Sequence, residues 1–246
     1  MVEPYYQDDL VTLYHGDCRE HTQWLDADVL VTDPPYGIAW TRSGITRASH
    51  ANRRPGRYGA PPARVDALND DGIAGDHSTE TRDTALQLWG SKPAYVFGSL
   101  LLPPPAGTKQ VAIYGKPKDS GNLTSIGGIR RNVEAIYVLG RHASGGGGRS
   151  AIFQTGARVA GATGGLVQRY GHPHAKPVDV LEELIRLGPA GVIADPFAGS
   201  GSTLIAARNL GRRAIGVELE ERYCEAIVRR LSHQVFDFAA LEEAEA

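Results

Sequence analysis

The chain has 246 residues and a formal net charge of −2, with 26 Lys and Arg against 28 Asp and Glu. Its 41% apolar fraction, taken with the 30 glycines, is ordinary for a globular domain, which excludes a largely disordered chain and a fibrous repeat. Taken as a sum, the near-neutral charge gives no sign of the basic surface by which nucleic-acid-binding domains are usually recognised.

The length predicts a single domain over residues 1–246. No apolar run reaches the roughly 18 residues of a membrane span, and the first ten residues carry acids where a signal peptide has a basic and then an apolar region. The two cysteines, Cys18 and Cys224, are too few for a disulfide framework. We therefore expect a cytoplasmic protein with reduced thiols and no membrane partner.

Short apolar runs alternate with helical patterns along the chain, which is typical of an α/β protein. The predicted strands are 11–14, 28–32, 94–97, 110–114, 133–139, 192–194 and 214–217. The predicted helices are 84–89, 177–187, 202–210 and 223–231. Seven strands with helices between them predict a doubly wound, mostly parallel seven-stranded sheet.

Two segments fit neither the strand nor the helix period. Residues 41–76 are rich in Arg, Gly, Pro and Ala, and residues 141–171 include four consecutive glycines at 145–148. Loops of this length inside a domain are usually functional or disordered. We interpret residues 41–76 as a loop insertion in the single domain.

The first motif, Asp33-Pro34-Pro35-Tyr36, directly follows the second predicted strand. Ligands of open α/β sheets bind beyond the carboxyl ends of the strands, so this segment faces the expected crevice. The two prolines make a stiff corner with carbonyl acceptors and no N–H donors. Such a set suits a planar group bearing an NH2, because Asp33 and a carbonyl can accept its two N–H bonds while Tyr36 stacks on the ring. The alternative is a proline turn that only ends a strand.

The second motif spans residues 195–203, between a strand and a helix, and reads Asp-Pro-Phe-Ala-Gly-Ser-Gly-Ser-Thr. Gly199 and Gly201 permit a tight turn and close approach to a ligand, and the following helix start favours an anionic group. Leu204 replaces the third glycine of a dinucleotide site, and no Lys follows as in a phosphate loop. Glu218 closes the next strand, near the spacing of a ribose-binding carboxylate. The pattern predicts an adenosyl ligand with a small carboxylate; the alternative is a helix-start turn without a ligand.

The third motif, residues 172–177, reads His-Pro-His-Ala-Lys-Pro at the entry to a predicted helix. Lys176 could offer a point charge to a ligand carboxylate. His172 and His174 have no Cys, Asp or Glu beside them to complete a metal site, so we expect no metal.

Together the three motifs resemble those of the amino-group DNA methyltransferases, which act on adenine N6 or cytosine N4. Residues 33–36 resemble the catalytic motif of that family, residues 195–203 its S-adenosyl-L-methionine loop, and residues 172–177 the motif that precedes this loop. The order, with the catalytic motif first, is similar to that of the beta class. The resemblance implies a circularly permuted Rossmann-like methyltransferase fold with S-adenosyl-L-methionine as cofactor.

The resemblance also implies roles for particular residues. The implied catalytic residues are Asp33, Pro34, Pro35 and Tyr36. The implied cofactor-binding residues are Asp17, Lys176, Asp195, Phe197, Gly199, Gly201, Ser202, Thr203 and Glu218. Asp17 would lie near the adenine of the cofactor and Glu218 at its ribose hydroxyls. The chain departs from the family at His174-Ala175, where the family usually has Thr and a polar residue.

The first residue of the catalytic motif bears on the substrate. An Asp-first motif is typical of N6-adenine enzymes of this family, whereas Ser is common in N4-cytosine enzymes, so the resemblance implies site-specific adenine methylation of double-stranded DNA after the base leaves the helix. Three alternatives stay open: an N4-cytosine enzyme, an RNA or protein N-methyltransferase, and an inactive DNA-binding relative. By position, residues 141–171 resemble the target-recognition segment. A restriction–modification role, a homodimer and a separate restriction endonuclease are also kept open.

The charge is unevenly distributed along the chain. Residues 41–65 hold six arginines and no acid: Arg42, Arg47, Arg53, Arg54, Arg57 and Arg64. Residues 109–176 hold ten Lys and Arg against Asp119 and Glu134, whereas the chain from Val178 onward holds 12 acids and 7 arginines. We interpret the two basic segments as phosphate contacts beside the crevice, which makes DNA binding strongly dependent on salt. The alternative is a solvated loop and a charged terminal helix.

Overall fold

The computed structural model describes residues 2–38, 74–116, 125–126, 129–130, 132–143, 148–155 and 175–244, with side chains up to residue 232 in the last range. Nine strands of these residues form one sheet: β1 (Tyr6–Gln7), β2 (Val11–His15), β3 (Val29–Thr32), β4 (Ala94–Gly98), β5 (Gln110–Gly115), β8 (Val133–Leu139), β9 (Ile152–Gln154), β10 (Ile193–Asp195) and β11 (Ala214–Glu218). Two further strands, β6 (Ser125–Ile126) and β7 (Ile129–Arg130), pair only with each other.

The strand order along the sheet is β1-β2-β11-β10-β3-β4-β8-β5-β9. Strands β2, β11, β10, β3 and β4 are parallel neighbours, and β8 runs antiparallel between β4 and β5. The carboxyl ends of the five parallel strands therefore meet at one edge of the sheet. This edge is where an open α/β sheet binds its ligand.

All seven predicted strands are present, each within one residue of its predicted start and end. The structure adds β1 antiparallel to β2 and β9 parallel to β5, one at each outer edge. The helices are α1 (Glu80–Trp89), α2 (Val178–Leu187), α3 (Ser202–Asn209) and α4 (Glu221–Ala244), with a 3-10 helix at Thr22–Asp26 that the sequence pattern did not predict. Helix α1 begins one turn earlier than predicted, because the residues added at its start, 80–83, are polar and show no apolar periodicity. Helix α4 is also longer than predicted and continues to Ala244.

Helices cover both faces of the sheet, as a doubly wound fold requires. Along β3, Val29 and Val31 belong to the core on the side of α2, α3 and α4, whereas Leu30 belongs to the core on the side of Trp24 and Trp89. This alternation follows from the two-residue period of a strand. The two tryptophan rings stack with centroids 5.8 Å apart, which joins the 3-10 helix to α1.

Helix α2 shows how the sequence places the third motif beside the sheet. Pro177 precedes its first residue with φ −65°, the value to which the proline ring is restricted. The four buried side chains of α2 repeat at helical spacing and pack on the sheet: Val180, Leu181, Leu184 and Ile185. Because the helix starts immediately after Pro177, Lys176 is held at the edge of the sheet.

Much of the two predicted loop segments lies outside the described residues, including 41–73, 144–147 and 156–171. The last residue of the first segment, Asp76, is 2% exposed and accepts a hydrogen bond of 2.7 Å from the Gly37 N–H, which joins the end of that segment to the residue after Tyr36. Among the helices that the structure describes, none combines the length and apolar content of a membrane span.

Candidate active site

Four acidic residues lie at the carboxyl ends of four adjacent parallel strands. Asp33 follows β3, Asp195 ends β10, Glu218 ends β11 and Asp17 follows β2. The register pairs Glu218 with His15, and the Gly16 N–H donates to the Glu218 carbonyl at 2.9 Å. The structure thus brings together along one edge the residues that the sequence predicted to be catalytic and those predicted to bind the cofactor.

The predicted catalytic motif, residues 33–36, turns away from the sheet directly after β3. The Tyr36 hydroxyl lies 2.9 Å from Asp33 Oδ1 and donates a hydrogen bond to it. The Asp33 side chain is 24% exposed, so it is accessible at this edge. Tyr36 and Pro35 are half-buried, and Pro34 is buried against the fold. The corner is therefore held in place by the sheet while its carboxylate and its ring remain within reach of a ligand.

A line of alternating charges extends from Asp33 into the protein. The Lys176 amine lies 2.5 Å from Asp33 Oδ2 and 3.4 Å from Glu134 Oε2. The other oxygen of Glu134, Oε1, pairs with the Lys116 amine. The Tyr36 hydroxyl also lies 3.2 Å from Glu134 Oε2. Two carboxylates and two amines thus form a connected set.

Burial and charge act in opposite directions on these groups. Burial raises the pKa of Asp33, the Lys176 amine opposes this, and the Glu134 carboxylate adds to the rise, so that the pKa lies above its ordinary value. Burial lowers the pKa of Lys176, but the Asp33 and Glu134 carboxylates outweigh it and raise this pKa overall. Burial, with the same two carboxylates, holds the pKa of Tyr36 well above its ordinary value. Lys176 is therefore firmly cationic and Tyr36 neutral.

The turn after β10, which holds the predicted cofactor motif, is hydrogen-bonded to the end of β3. Asp195 Oδ1 accepts a hydrogen bond of 2.6 Å from the Thr32 hydroxyl and one of 3.2 Å from the Phe197 N–H. Burial raises the pKa of Asp195 to about 6, even though Thr32 and Thr203 hydrogen bonds oppose the rise. Asp195 thus holds β10 and the end of β3 in a fixed relation.

Both glycines of the turn have backbone angles that L residues rarely adopt. Gly199 has φ 51° and Gly201 has φ 74°. A Cβ on Gly201 would also lie 2.8 Å from Ile227 Cγ1 of α4. Packing against α4 therefore requires glycine here, in addition to the turn itself.

The hydroxyls at the start of α3 are engaged by the protein. Ser202 and Thr203 are each 4% exposed. The Ser202 hydroxyl lies 2.9 Å from the Ser200 hydroxyl, and the Thr203 hydroxyl bonds to Asp195. The Arg230 guanidinium donates to the Ser200 carbonyl. These contacts stabilise the turn, and a direct contact of Ser202 and Thr203 with the cofactor stays a prediction.

Glu218 and Asp17 lie beside this turn, at the carboxyl ends of the next two strands, β11 and β2. Glu218 Oε2 accepts from the Gly199 N–H at 2.7 Å and Oε1 from the Glu220 N–H at 2.8 Å. Burial raises the pKa of Glu218 to about 7. Asp17 pairs with the Arg19 guanidinium at 2.5 Å, and that hydrogen-bonded pair lowers the pKa of Asp17.

These residues fit an adenosyl cofactor by the chemistry of their donors and acceptors. A carboxylate accepts about four hydrogen bonds, so Glu218 can accept from two ribose hydroxyls while keeping its two backbone donors. Asp17 is 24% exposed and lies one strand away from Glu218, on the far side from Asp33. The binding roles of Asp195, Phe197, Gly199 and Gly201 remain predictions that this geometry supports.

The third motif is only partly within the described residues. His172, Pro173 and His174 lie outside them, whereas Ala175 and Lys176 are buried. The Lys176 amine is bound by Asp33 and Glu134, so the predicted contact with a cofactor carboxylate stays a prediction. In the part of the chain that the structure describes, no group of three or more His, Cys, Asp or Glu could hold a metal ion.

Sequence reasoning missed Glu134 and Lys116 as members of the site. Glu134 was counted only as one of two acids in a basic segment. The available signal was its position inside the apolar strand β8, because a buried acid is nearly always paired. Its pairing depends on the register of β8 against β5, which places Glu134 opposite Tyr114 and is not visible in the pattern of either strand alone.

Comparisons with known proteins agree with this geometry. A family model described as DNA methylase, of the N6/N4 type, matches residues 111–229. The type II methyltransferase M.ScaI of Streptomyces caespitosus is 26% identical over 272 residues, which cover 93% of this chain and 84% of that protein.

Solved structures show the same fold at low sequence identity. The complex of M1.HpyAVI with S-adenosyl-L-methionine has a TM-score of 0.59 and 17% identity, covering 90% of this chain and 99% of that one. PvuII DNA methyltransferase, described as cytosine-N4-specific, has a TM-score of 0.57 and 14% identity, covering 92% of this chain and 88% of that one. The sheet of this chain thus has the fold of these methyltransferases. Over residues 111–229 the chain is thus similar to the N6/N4 amino-group DNA methyltransferases, and its motifs follow the order of the beta class.

Proposed function

We propose that the protein is a site-specific methyltransferase that methylates the exocyclic N6 of adenine in double-stranded DNA. The observation that carries this proposal is the Asp33 carboxylate, which follows β3 next to β10 and its glycine turn. An acceptor for the amino group and the residues predicted for the methyl donor therefore lie on neighbouring strands. Methyl transfer requires this proximity.

Asp33 and Pro34 would activate the amino group. The lone pair of adenine N6 is delocalised into the ring, which makes this nitrogen a poor nucleophile. Hydrogen bonds from its two N–H groups to Asp33 and to the Pro34 carbonyl favour tetrahedral geometry and expose the lone pair. In the structure Asp33 Oδ1 accepts from the Tyr36 hydroxyl at 2.9 Å, so an amino group can take the place of that donor.

Tyr36 would hold the target base. Its half-buried ring lies beside Asp33, and an aromatic face can stack on a base that has left the helix. When bound, S-adenosyl-L-methionine supplies a methyl group on a cationic sulfur, which needs no further activation. Placing the two reacting groups in line can contribute roughly 7–11 kcal/mol to the lowering of the barrier. No nucleophilic side chain is required for direct transfer.

Adenine is favoured over cytosine by the acid at the first position of the motif, as the family resemblance implies for Asp33. N4-cytosine methylation is the second candidate, because PvuII methyltransferase, described as cytosine-N4-specific, shares the fold. The experiment is transfer of a labelled methyl group to DNA, followed by acid hydrolysis and separation of the bases. We expect the label in N6-methyladenine; label in N4-methylcytosine would replace the proposal by the second candidate.

The same assay with RNA and with protein as acceptors tests the remaining substrate classes. We expect transfer to double-stranded DNA alone. We further propose that the protein acts in the cytoplasm within a restriction–modification setting, which predicts that DNA from expressing cells resists one sequence-specific endonuclease. Sedimentation of the purified protein tests whether it forms a homodimer.

A further inference from the structure

The charge line behind the catalytic motif connects three separate parts of the chain. Asp33 follows β3, Glu134 lies in β8 and Lys176 immediately precedes α2. The Lys176 amine contacts both carboxylates, at 2.5 Å from Asp33 Oδ2 and 3.4 Å from Glu134 Oε2. Lys116 completes the line on the far side of Glu134. A single amine therefore joins the proposed catalytic carboxylate to an interior strand.

Two of the charged side chains in this line, Lys176 and Glu134, are buried, so each depends on its charged partner. The side chains of Lys176 and Glu134 are 8% and 10% exposed. Charges at such positions are tolerated only when they are paired, and removal of one partner leaves the other uncompensated. The two amines, Lys116 and Lys176, balance the two carboxylates, Asp33 and Glu134, so the four ionised groups have no net charge.

The two oxygens of Asp33 have different partners. Oδ2 accepts from the Lys176 amine, which Glu134 also contacts, whereas Oδ1 accepts from the Tyr36 hydroxyl on a half-buried ring. Short hydrogen bonds between charged groups are the stronger kind. The bond at Oδ2 therefore sets the orientation of the carboxylate, and Oδ1 is the oxygen that a substrate can take over.

The Lys176 amine also lies over aromatic rings that border the motif. It is 5.4 Å from the centroid of Tyr36 and 5.2 Å from that of Phe97. Both distances are within the range of cation–π attraction. The amine thus contacts both Asp33 and the ring of Tyr36, the two side chains proposed to act on the target base.

We propose that Lys176 and Glu134 are positioning residues for Asp33: Glu134 holds the Lys176 amine in place, and the amine fixes Asp33 Oδ2 so that an ionised Oδ1 faces the target amino group. This inference rests on the proposed function of Asp33. It gives Glu134, which no sequence motif included, a defined part in methyl transfer. Neither residue touches the reacting atoms.

The titratable groups around Asp33 determine how its ionisation responds to substitution. Its own segment contributes Tyr36, β8 contributes Glu134 and the start of α2 contributes Lys176. Asp195 of β10 and Tyr114 of β5 also interact with the Asp33 charge. Asp179 of α2 reaches Tyr114, and Lys116 reaches Glu134. Of these groups, the Lys176 cation favours the ionised form of Asp33, whereas the Glu134 anion favours the protonated form.

The test compares Lys176→Met with Glu134→Gln in single-turnover methyl transfer, measured between low and high pH with saturating cofactor and DNA. Lys176→Met removes the cation that favours ionised Asp33. Its rate relative to the wild type should therefore be at least about tenfold lower at low pH than at high pH. Glu134→Gln removes a neighbouring negative charge, so its acidic limb should move to lower pH while the maximal rate falls. The two variants thus shift the pH profile in opposite directions.

Lys176→Arg keeps the charge and should restore the wild-type acidic limb, with a lower rate because its geometry differs. Two exposed pairs provide matched charge controls, Arg186→Gln on α2 and Glu225→Gln on α4, and neither should change the profile. If Lys176→Met does not fold, Lys176→Arg and Glu134→Gln still provide the comparison. Profiles that fall in parallel at every pH would overturn the inference.

The failure of the inference can be distinguished from failure of the proposed function. Absence of methyl transfer to DNA by the wild-type protein rejects the proposed function. Wild-type transfer with unshifted profiles in both variants rejects only the positioning role. Cofactor affinity is measured in parallel by calorimetry, because a large loss of affinity in Lys176→Met with an unchanged profile would instead support the contact with the cofactor carboxylate predicted from the sequence.

Discussion

Replacement of Gly201 by alanine tests the turn that is predicted to bind the cofactor. Gly201 precedes α3 with φ 74°, a left-handed conformation that costs an L residue about 1–2 kcal/mol. The added Cβ would lie 2.8 Å from Ile227 Cγ1 and 3.0 Å from its Cγ2, closer than any ordinary contact. Relief of such overpacking typically costs about 1–3 kcal/mol. The two effects together predict that Gly201→Ala lowers the free energy of unfolding by roughly 2–5 kcal/mol.

Gly211, just beyond the other end of α3, is the matched control. Its φ is 65°, and a Cβ there would meet nothing within 4 Å. Gly211→Ala should therefore lower the free energy of unfolding only by the cost of the left-handed conformation, about 1–2 kcal/mol. The assay is urea unfolding of both variants and the wild type, followed by cofactor titration of the folded proteins. Equal losses in the two variants would refute the assignment of the contact between Gly201 and Ile227.

Three other predictions concern the site and its surroundings. Asp33→Ala should abolish methyl transfer while cofactor affinity, measured by calorimetry, stays near the wild-type value; wild-type activity in this variant would exclude Asp33 from catalysis. Replacement of Arg53, Arg54 and Arg57 together should make DNA affinity less dependent on salt concentration. An unchanged salt dependence would show that these arginines make no phosphate contacts. Glu218 has a pKa raised from 4.5 to about 7, so the folded protein binds more protons and its stability without cofactor should fall by about 3 kcal/mol as pH rises through that window. Glu218→Gln should remove this share of the pH dependence in urea unfolding, and an identical pH dependence would contradict the burial of an uncharged carboxyl.

The central sheet was predictable because its strands are short, continuous apolar runs that end at polar motifs. In β3 every residue is buried, and the run ends where Asp33 begins. The edge strands β1 and β9 have two and three residues and alternate in exposure, so no apolar run identifies them. Their formation depends on pairing with β2 and β5, which is a tertiary effect.

The sequence predicts the residues at the strand ends of the site but not the buried contacts behind them. Asp33 and Asp195 follow apolar runs, and parallel strand order brings them together. The Lys176 amine pairs with Asp33 across 143 positions of sequence, a contact that no local pattern encodes. Ser202 and Thr203 have hydroxyls at a helix start, but whether they face a ligand or the protein depends on Ser200 and Asp195.

The most direct test of the account is sequencing that detects modified bases in DNA from cells expressing the wild-type protein or Asp33→Ala. We expect N6-methyladenine at one recurrent sequence with the wild-type protein and at none with the variant. Modified cytosine at a recurrent sequence, or methyladenine that persists with Asp33→Ala, would contradict the assignment of Asp33 as the acceptor that activates adenine.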